Sequence, residues 1–379
     1  MEKIKIVHIL HCVGGVDVYL RLITLNIDSD RFENIILHGQ KDTNENFFNK
    51  KNQQLKEYKI PILREISIYS DLIAIRKGYK ILKKEKPDLI HCHSAKGGII
   101  GRILGFLLNI KVLYTPHAFS YLSSENVVKK KVFLLIERFF ANGNSILVST
   151  SKSEELKGIL EVGYKENKSS MFVNSINPIN KINNLTIDKT WPDEYICTVG
   201  RPSYQKNIEL MIRVLNVVRK NNNIHLVIMG VGHHSDKLEN VKKLIDELKL
   251  NDSVTLIEWT DRENIFNIIN NSKFYISTAR YEGLPYSVIE SLALSKPCIV
   301  SDCDGNRDLI QNDYNGFVIQ DENIEDFNQR IQLLLNNSTL LAELSKNARE
   351  SFDENYNIRK NIKNLEKIYR RFSKSTSVE

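Results

Sequence analysis

The chain has 379 residues, of which 42% are hydrophobic and 26% are charged. At roughly 100–200 residues per domain, this length predicts two domains and excludes a single small binding module. The composition excludes a disordered chain, because the apolar fraction is large enough to form cores and the net charge is only +7.

The positive charge is confined to the first half of the chain. Residues 1–183 carry a net charge of +10 and the remainder −3, and the segment 51–131 holds 16 basic against 6 acidic residues. Such a field favours a phosphate-rich partner or an anionic membrane surface, with ordinary solvated helix faces as the alternative. Nucleic acid is the weakest partner, because the basic segment has no aromatic platform or known reader motif.

The sequence predicts neither a cleaved signal nor a membrane span. The apolar runs 97–110 and 132–140 are broken by Arg102, Glu137 and Arg138, so neither reaches the roughly 20 apolar residues that a spanning helix needs. The five cysteines are odd in number and form no C-x-x-C pair, which favours a reducing compartment. We therefore expect a cytoplasmic protein that at most rests on the inner face of the cytoplasmic membrane.

Short runs rich in Ile and Val alternate with longer amphipathic segments along the whole chain. This rhythm is typical of parallel sheets covered by crossover helices. In the first half it predicts strands at 4–10, 34–37, 89–92, 111–114 and 145–148. It restarts in the second half with strands at 195–199, 225–229, 254–257, 274–276 and 298–300. The sequence therefore predicts two doubly wound α/β domains in tandem.

The predicted boundaries follow from composition. The first domain covers residues 1–177, and a linker at 178–192 is rich in Asn and bounded by prolines. The second domain covers 193–352. A C-terminal helical segment at 353–379 lies beyond the second set of strands, and we expect it to pack back on the first domain.

The loop after the predicted strand 274–276 carries two carboxylates around a turn. It reads ARYEGLPYSVIE, with Glu282 before the turn and Glu290 in the first turn of a helix that opens near Ser287. Ligands of open α/β sheets bind at such loops, where free helical N–H groups attract anions and carboxylates accept from sugar hydroxyls. The alternative is that Glu290 only complements the helix dipole and that Glu282 is a solvated loop residue.

A second loop, GRPSYQKN after the predicted strand 195–199, carries Arg201 and Lys206. Two permanent cations at this position would hold a diphosphate and offset the charge of a departing nucleotide in place of a metal. Gly14 and Gly15 follow the first strand and would allow close approach of a ligand. Because no G-x-G-x-x-G fingerprint occurs there, a nicotinamide enzyme is disfavoured.

Together these segments resemble the retaining, nucleotide-sugar-dependent glycosyltransferases of the GT-B architecture. The Glu-x7-Glu pattern of Glu282 and Glu290 carries the resemblance. The Gly14-Gly15 loop, DLIHCHSAKGGIIGR, TPHAFS, SILVSTSKSEEL and VGRPSYQKN support it in the same order. The resemblance implies two Rossmann-like domains that face each other across a cleft, with the acceptor bound to the first and the donor to the second.

The resemblance also implies roles for individual residues. Glu290 would bind the ribose, Arg201 and Lys206 the diphosphate, and the loop 259–262 the base. Glu282 would orient the sugar, and His117 would reach it from the first domain, unless that histidine is interior and hydrogen-bonded to backbone. The implied catalytic residues are Glu282 and His117, and the implied donor-binding residues are Gly14, Gly15, Arg201, Lys206, Gly283, Leu284, Pro285, Tyr286, Ser287 and Glu290.

The sequence departs from the family pattern in two places and contains two metal-like patterns. DGNR at 304–307 replaces the usual pair of glycines, and TPHAFS lacks the acidic residue that often follows the histidine. Asp-Cys-Asp at 302–304 and His-Cys-His at 91–93 mimic metal ligands, but an ordinary turn and a polar strand end explain them equally well. No metal or other cofactor is therefore predicted.

The resemblance implies transfer of a hexose or N-acetylhexosamine from a nucleoside diphosphate sugar, UDP-linked by preference, to a surface glycan of the O-antigen or capsule type. The acceptor would be carried on a polyprenyl diphosphate. A UDP-sugar 2-epimerase of the same architecture and a non-catalytic nucleotide-sugar or glycan-binding protein are the alternatives. The segment 126–140 is either a core-facing helix or a surface that rests on anionic lipid.

Overall fold

The computed structural model describes residues 3–12, 14–40, 42–43, 45–63, 67–232 and 235–373. The chain divides into two compact units, Met1–Ser175 with Ile358–Glu379, and Ile176–Asn357. Residues 374–379 of the predicted C-terminal segment lie outside the described residues.

The first unit is built on a parallel sheet. Its described strands are β1 (Ile4–Leu10), β2 (Phe32–Gly39), β3 (Lys56–Ile60), β4 (Leu89–His93), β5 (Lys111–Thr115), β6 (Ser145–Ser149) and β7 (Ser169–Met171). They lie in the order β3-β2-β1-β4-β5-β6-β7, and every described pairing is parallel. The helices of this unit are α1 (Gly15–Asn26), α2 (Ile68–Glu85), α3 (Ser94–Leu108), α4 (Val127–Ala141) and α5 (Lys152–Lys157).

The second unit repeats this design. Its described strands are β8 (Tyr195–Val199), β9 (His225–Val231), β10 (Val254–Glu258), β11 (Tyr275–Ser277), β12 (Cys298–Ser301) and β13 (Gly316–Ile319), in the parallel order β10-β9-β8-β11-β12-β13. Its helices are α6 (Ile208–Val218), α7 (Leu238–Glu247), α8 (Arg262–Asn271), α9 (Tyr286–Ala293), α10 (Asn306–Leu309), α11 (Ile324–Asn336) and α12 (Ser338–Asn355). The predicted α/β class with two doubly wound parallel sheets is confirmed.

The central strands are buried on both faces. In β1 the residues from Ile6 onward are inaccessible to solvent, and β4 and β6 are buried along their whole length. Burial on both faces is why these strands have nearly continuous apolar runs that the sequence reveals. In the described part of the chain, no helix combines the length and the apolar character needed to cross a membrane.

The predicted linker and C-terminal segment have defined places. The amide of Thr186 donates to Oδ1 of Asn264 in α8 at 2.9 Å, so the segment 178–192 is held on the second unit. Helix α12 continues to Asn355, and the last helix, α13, begins only at Ile358 and ends at Phe372. Within the first unit, Tyr369 of α13 contacts Nδ1 of His91 at 2.8 Å.

Candidate functional site

Two loops at the carboxyl end of the second sheet lie side by side. One follows β8 and the other follows β11, and these strands are neighbours in the sheet. The amide of Arg280 donates to the carbonyl oxygen of Gln205 at 2.8 Å, and the hydroxyl of Thr278 donates to the carbonyl of Asn207 at 2.9 Å. The structure therefore brings together the two loops that the sequence singled out.

Lys206 and Glu282 form an ion pair between these loops. Nζ of Lys206 lies 2.7 Å from Oε1 of Glu282, and Nε2 of the Gln205 side chain donates to Oε2 of the same carboxylate at 3.2 Å. Burial opposes the charge of Lys206, but the Glu282 carboxylate outweighs it, so the pKa of Lys206 is raised above its ordinary value. The site thus contains a permanent cation in contact with a buried carboxylate.

Gly200 and Arg201 lie beside this ion pair. A Cβ atom at Gly200 would lie 3.1 Å from Cγ and Cδ of Lys206, so a larger residue would displace the lysine stem. The charge of Arg201 acts on Lys206 and opposes the rise of its pKa, which places a second cation within electrostatic reach. Both cations that were predicted to hold a diphosphate therefore belong to one site.

Glu290 lies in the second turn of α9, not in the first turn as predicted. The helix begins at Tyr286, because Pro285 has an extended backbone and forms the N-cap. Glu290 is buried and is ion-paired with Arg262 of α8. Burial raises the pKa of Glu290, and the Arg262 guanidinium opposes that rise. The helix dipole stabilises mainly those charges that lie in the first turn. The interpretation that Glu290 only complements the helix dipole is therefore wrong.

The backbone between these carboxylates forms the start of α9. Leu284 and Ser287 are buried, and the first turn of a helix leaves N–H groups without intrahelical partners. Gly305 has a φ of +79°, and a Cβ atom there would lie 2.6 Å from the carbonyl oxygen of Gly283. The single glycine of the DGNR segment therefore occupies the position where this backbone approaches closely.

His117 follows β5 in the first unit and lies in a strained turn. Its φ is +54°, and that of Ala118 is +74°; such values are costly for residues other than glycine and cluster at functional sites. The carboxylate of Glu154 holds the turn by accepting from the amides of Ala118 at 2.7 Å and Thr150 at 2.6 Å. His117 is partly exposed as a residue, and the described hydrogen-bond partner of its ring is Nδ1 of His93, a side chain rather than a backbone group.

The glycine pair of the first unit forms the start of α1. Gly14 is the N-cap with a φ of +62°, a Cβ atom there would contact no described atom within 4 Å, and Gly15 is the first helical residue. The preceding segment is held by Asp42, which accepts from the amide of Gly39 at 2.9 Å and contacts Nδ1 of His11 at 2.7 Å. Val13, which precedes Gly14 in the sequence, lies outside the described residues.

The two metal-like patterns are engaged in contacts within the protein. Arg307 forms ion pairs with both Asp302 and Asp304. His8, His91 and His93 bring ring nitrogens within 4.8 Å of one another. Their nitrogens, however, bond to one another and to neighbouring side chains, among them the hydroxyl of Thr115 at 2.9 Å from Nε2 of His91.

Three residues of these sites were missed by sequence reasoning. The sequence indicates Gln205 only as part of a loop and Glu154 only as part of a segment that supports the family resemblance. The sequence assigns the loop 259–262 to the nucleotide base only, and it gives no sign that Arg262 of this loop forms an ion pair with Glu290. The available signal was a charged or amide side chain at the end of a βα loop, which is too common to single out a residue.

Two family models match consecutive parts of the chain. Residues 13–178 match the model described as Glycosyltransferase Family 4, and residues 185–351 match Glycosyl transferases group 1. An Escherichia coli relative, UDP-Gal:alpha-D-GlcNAc-diphosphoundecaprenol alpha-1,3-galactosyltransferase, is 28% identical over 328 residues, which cover 83% of this chain and 84% of the relative.

Solved structures resemble the whole chain. Sucrose-phosphate synthase from Thermosynechococcus elongatus has a TM-score of 0.83 at 17% identity and covers 98% of this chain and 99% of its own. HepE from Anabaena, in complex with UDP and glucose, has a TM-score of 0.78 at 15% identity over 97% of this chain and 100% of its own. Two parallel α/β units with these neighbours define the GT-B fold. With both family matches in order along the sequence, the chain belongs to the GT-B glycosyltransferases.

Proposed function

We propose that this chain is a retaining, metal-independent glycosyltransferase that transfers a hexose or N-acetylhexosamine from a UDP-sugar to a hydroxyl of a surface glycan. The acceptor is a lipid-linked or growing chain of the O-antigen or capsule type. The observation that carries the proposal is the Lys206–Glu282 ion pair beside the start of α9, with the buried carboxylate of Glu290 in the next turn.

The second unit would hold the donor. Glu290 accepts hydrogen bonds from the ribose hydroxyls, and Arg201 and Lys206 bind the diphosphate. Glu282 and the backbone of Gly283, Leu284 and Pro285 orient the sugar, and Tyr286 and Ser287 contribute the N–H groups of the first turn. Gly14, Gly15 and His117 of the first unit are assigned to the reaction by the family resemblance and by the backbone conformations described above.

The proposed reaction breaks the bond between the anomeric carbon and the β-phosphate oxygen and forms a bond from that carbon to the acceptor oxygen on the same face. The acceptor proton passes to the departing phosphate oxygen, and UDP leaves. Arg201 and Lys206 offset the negative charge that develops on the diphosphate, which is the role a metal ion has in other transferases. Glu282 and His117 act by positioning the sugar.

The preference for UDP and for a lipid-linked acceptor rests on the relatives. The E. coli relative is named for a UDP-galactose donor and a diphosphoundecaprenol-linked acceptor, and the Anabaena structure contains UDP and glucose. The groups that bind such a donor are cations for the diphosphate and carboxylates for the sugar hydroxyls. This chain has both, in Arg201 and Lys206 and in Glu282 and Glu290.

A transfer assay tests this function against its alternatives. The protein is incubated in EDTA with each of several UDP-sugars and a monosaccharide acceptor on a polyprenyl diphosphate, and the anomeric configuration of the product is read by NMR. We expect a retained configuration, and a loss of about a hundredfold or more in Lys206→Ala, whereas Lys243→Ala, on an exposed face of α7, leaves the rate unchanged. UDP release with an epimerised sugar and no acceptor dependence would identify an epimerase, and binding without turnover a binding protein.

The first unit also has a surface suited to an anionic membrane. Helix α4 exposes an apolar stripe at helical spacing, formed by Val128 (71% exposed), Val132 (46%), Leu135 (61%) and Phe139 (76%). Lys129, Lys130 and Lys131 lie on the same helix and are exposed. An exposed apolar stripe beside several lysines is the pattern of a helix that lies in a lipid interface. Helix α4 begins within the basic segment 51–131 and extends beyond it. Residues 64–66 of that segment lie outside the described residues.

Vesicle sedimentation tests the membrane surface. Neutralising Lys129, Lys130 and Lys131 to Gln should weaken binding to anionic vesicles by roughly a hundredfold, since each lysine near such a surface contributes about 1 kcal/mol. The matched control replaces the exposed Lys242, Lys243 and Lys249 of the second unit by Gln and should bind as the wild type does. Equal binding of the two triple variants to anionic vesicles would contradict the proposal that the α4 surface binds the membrane.

A further inference from the structure

Four polar side chains form a continuous line across the first sheet. Oδ1 of Asn34 lies 3.0 Å from Nε2 of His8, and Nδ1 of His8 lies 3.1 Å from Nε2 of His93. Nδ1 of His93 in turn lies 3.4 Å from Nε2 of His117. These residues belong to or follow β2, β1, β4 and β5, which are consecutive neighbours in the sheet. The line therefore leads from a buried amide to the partly exposed His117.

The orientation of the rings is compatible with hydrogen bonding along the line. The planes of His8 and His93 differ by 16° with centroids 5.4 Å apart, and those of His93 and His117 differ by 29° with centroids 5.6 Å apart. An imidazole lone pair lies in the plane of its ring, so rings whose planes are nearly parallel and whose nitrogens lie 3.1 Å and 3.4 Å apart are suited to N–H···N bonds.

The three imidazoles of this line are neutral at physiological pH. Burial lowers the pKa of His8 to about 4 and that of His117 to about 3. Burial and the charges of neighbouring histidines lower the pKa of His93 well below its ordinary value. A neutral imidazole has one donor nitrogen and one acceptor nitrogen, so the bonds along the line must all run in one direction.

The direction follows from the amide at the buried end. Oδ1 of Asn34 only accepts, so Nε2 of His8 carries the proton and Nδ1 of His8 accepts. His93 must then donate from Nε2 and accept at Nδ1, and His117 must donate from Nε2. In the part of the chain that the structure describes, Nδ1 of His117 has no hydrogen-bond partner.

We propose that Asn34, His8 and His93 are positioning residues that fix His117 as the Nε2–H tautomer, so that its Nδ1 accepts a hydrogen bond from a hydroxyl of a sugar substrate. The strained turn that Glu154 holds fixes the backbone of His117, and the line of imidazoles fixes its ring and its proton. This role rests on the proposed transferase function, because only a sugar substrate brings the hydroxyl to Nδ1.

Nitrogen-15 NMR of the histidine rings, combined with transfer kinetics, tests the proposal. In the wild type we expect His117 to have a protonated Nε2 and a bare Nδ1. In His8→Leu and Asn34→Leu the ring signals of His117 should move toward a mixture of tautomers. The kcat of transfer should fall about tenfold, with the donor KM changed much less, since misorientation of a positioned group affects the rate. Asn34→Asp keeps an accepting oxygen and should retain the wild-type tautomer.

The matched control is His91→Gln. His91 is equally buried and lies in register with His8, but it bonds to Tyr369 and Thr115 outside the line, so its loss should leave the His117 tautomer unchanged. A wild-type His117 with its proton on Nδ1, or an unchanged tautomer in folded His8→Leu and Asn34→Leu, would overturn the proposal. If the tautomer responds as expected but no UDP-sugar is used, the fixed tautomer stands and the transferase assignment is the part that fails.

Discussion

The ammonium group of Lys206 lies 2.7 Å from the carboxylate of Glu282, although the two residues come from different loops. The cation proposed to bind a diphosphate and the carboxylate proposed to orient a sugar are thus paired before any ligand enters. A diphosphate must compete with Glu282 for this cation, so the ion pair ties nucleotide binding to the position of the carboxylate.

This relationship predicts a split between binding and transfer in Glu282→Gln. Without the carboxylate, Lys206 has no anionic competitor, and we expect UDP to bind as tightly as to the wild type or more tightly. The sugar loses its orienting group, so transfer should fall about a hundredfold. Calorimetric titration with UDP and initial-rate kinetics measure the two effects. Weaker UDP binding together with unchanged transfer would contradict the assigned roles.

The pairing of Arg262 with Glu290 predicts a pH-dependent donor affinity. Burial raises the pKa of Glu290 and Arg262 opposes that rise, so Arg262→Gln should raise the pKa further. A protonated carboxyl accepts more weakly from ribose hydroxyls. UDP affinity of this variant should therefore fall as the pH decreases below neutrality, by at most about tenfold per pH unit.

The control for Arg262 is the double variant Arg262→Gln/Glu290→Gln, which lacks the titrating group and should bind UDP weakly with no such pH dependence. Fluorescence titration with UDP over a pH series compares the three proteins. Parallel pH profiles for Arg262→Gln and the wild type would show that Arg262 does not act through Glu290.

A buried ion pair in the first unit predicts a large stability effect. Nη1 of Arg102 donates to Oε2 of Glu137 at 2.9 Å, the hydroxyl of Tyr114 donates to Oε1 at 3.0 Å, and both charged side chains are 2% exposed. Removing one partner leaves an unpaired buried charge, so Arg102→Met should reduce the free energy of unfolding by about 3–5 kcal/mol. Denaturant unfolding measures this change.

The double variant Arg102→Met/Glu137→Leu is the control for the ion pair. It removes both charges, and we expect it to be considerably more stable than either single variant. A double variant whose loss equals the sum of the two single losses would show that the charges are not coupled.

The lowered pKa values of His8 and His117 predict that stability falls in mild acid. The folded pKa values of His8 and His117 are about 4 and about 3, below the unfolded value of 6.5, so the unfolded chain binds protons first. The free energy of unfolding should therefore decrease as the pH falls from about 6.5 towards 4, by up to about 1.4 kcal/mol per pH unit for each imidazole. Urea unfolding over this range should give a shallower slope for His8→Gln than for the wild type. Equal slopes for the two proteins would contradict the lowered pKa of His8 in the folded state.

The sequence predicts the central strands well because burial on both faces requires continuous apolar runs. The predicted strand 195–199 coincides with β8, and the predicted strand 89–92 differs from β4 by one residue. The strands it misses, β3, β7 and β13, are all at sheet edges, where one side needs no strand partner. Strand β3, which reads KEYKI, is largely polar and partly exposed, so it lacks the continuous apolar run that identifies a buried strand.

The site is only partly predictable for a related reason. Arg201, Lys206, Glu282 and Glu290 occur in recognisable loops, but the contacts between loops depend on the order of strands in the sheet. The pairing of Lys206 with Glu282 requires β8 to lie next to β11, which no local pattern specifies. Arg102 and Glu137 illustrate the same point, because each interrupts an apolar run and only the folded chain shows that they neutralise each other.

The most direct test of the donor site is thermal unfolding in EDTA with UDP, GDP, ADP or NAD, for the wild type, Glu290→Ala and Arg201→Ala/Lys206→Ala. A ligand at about 100 times its Kd adds roughly 2.7 kcal/mol to the free energy of unfolding. We expect UDP to raise the Tm of the wild type and to have little effect on either variant. A rise with NAD alone, or with none of the four nucleotides, would contradict the proposed donor site.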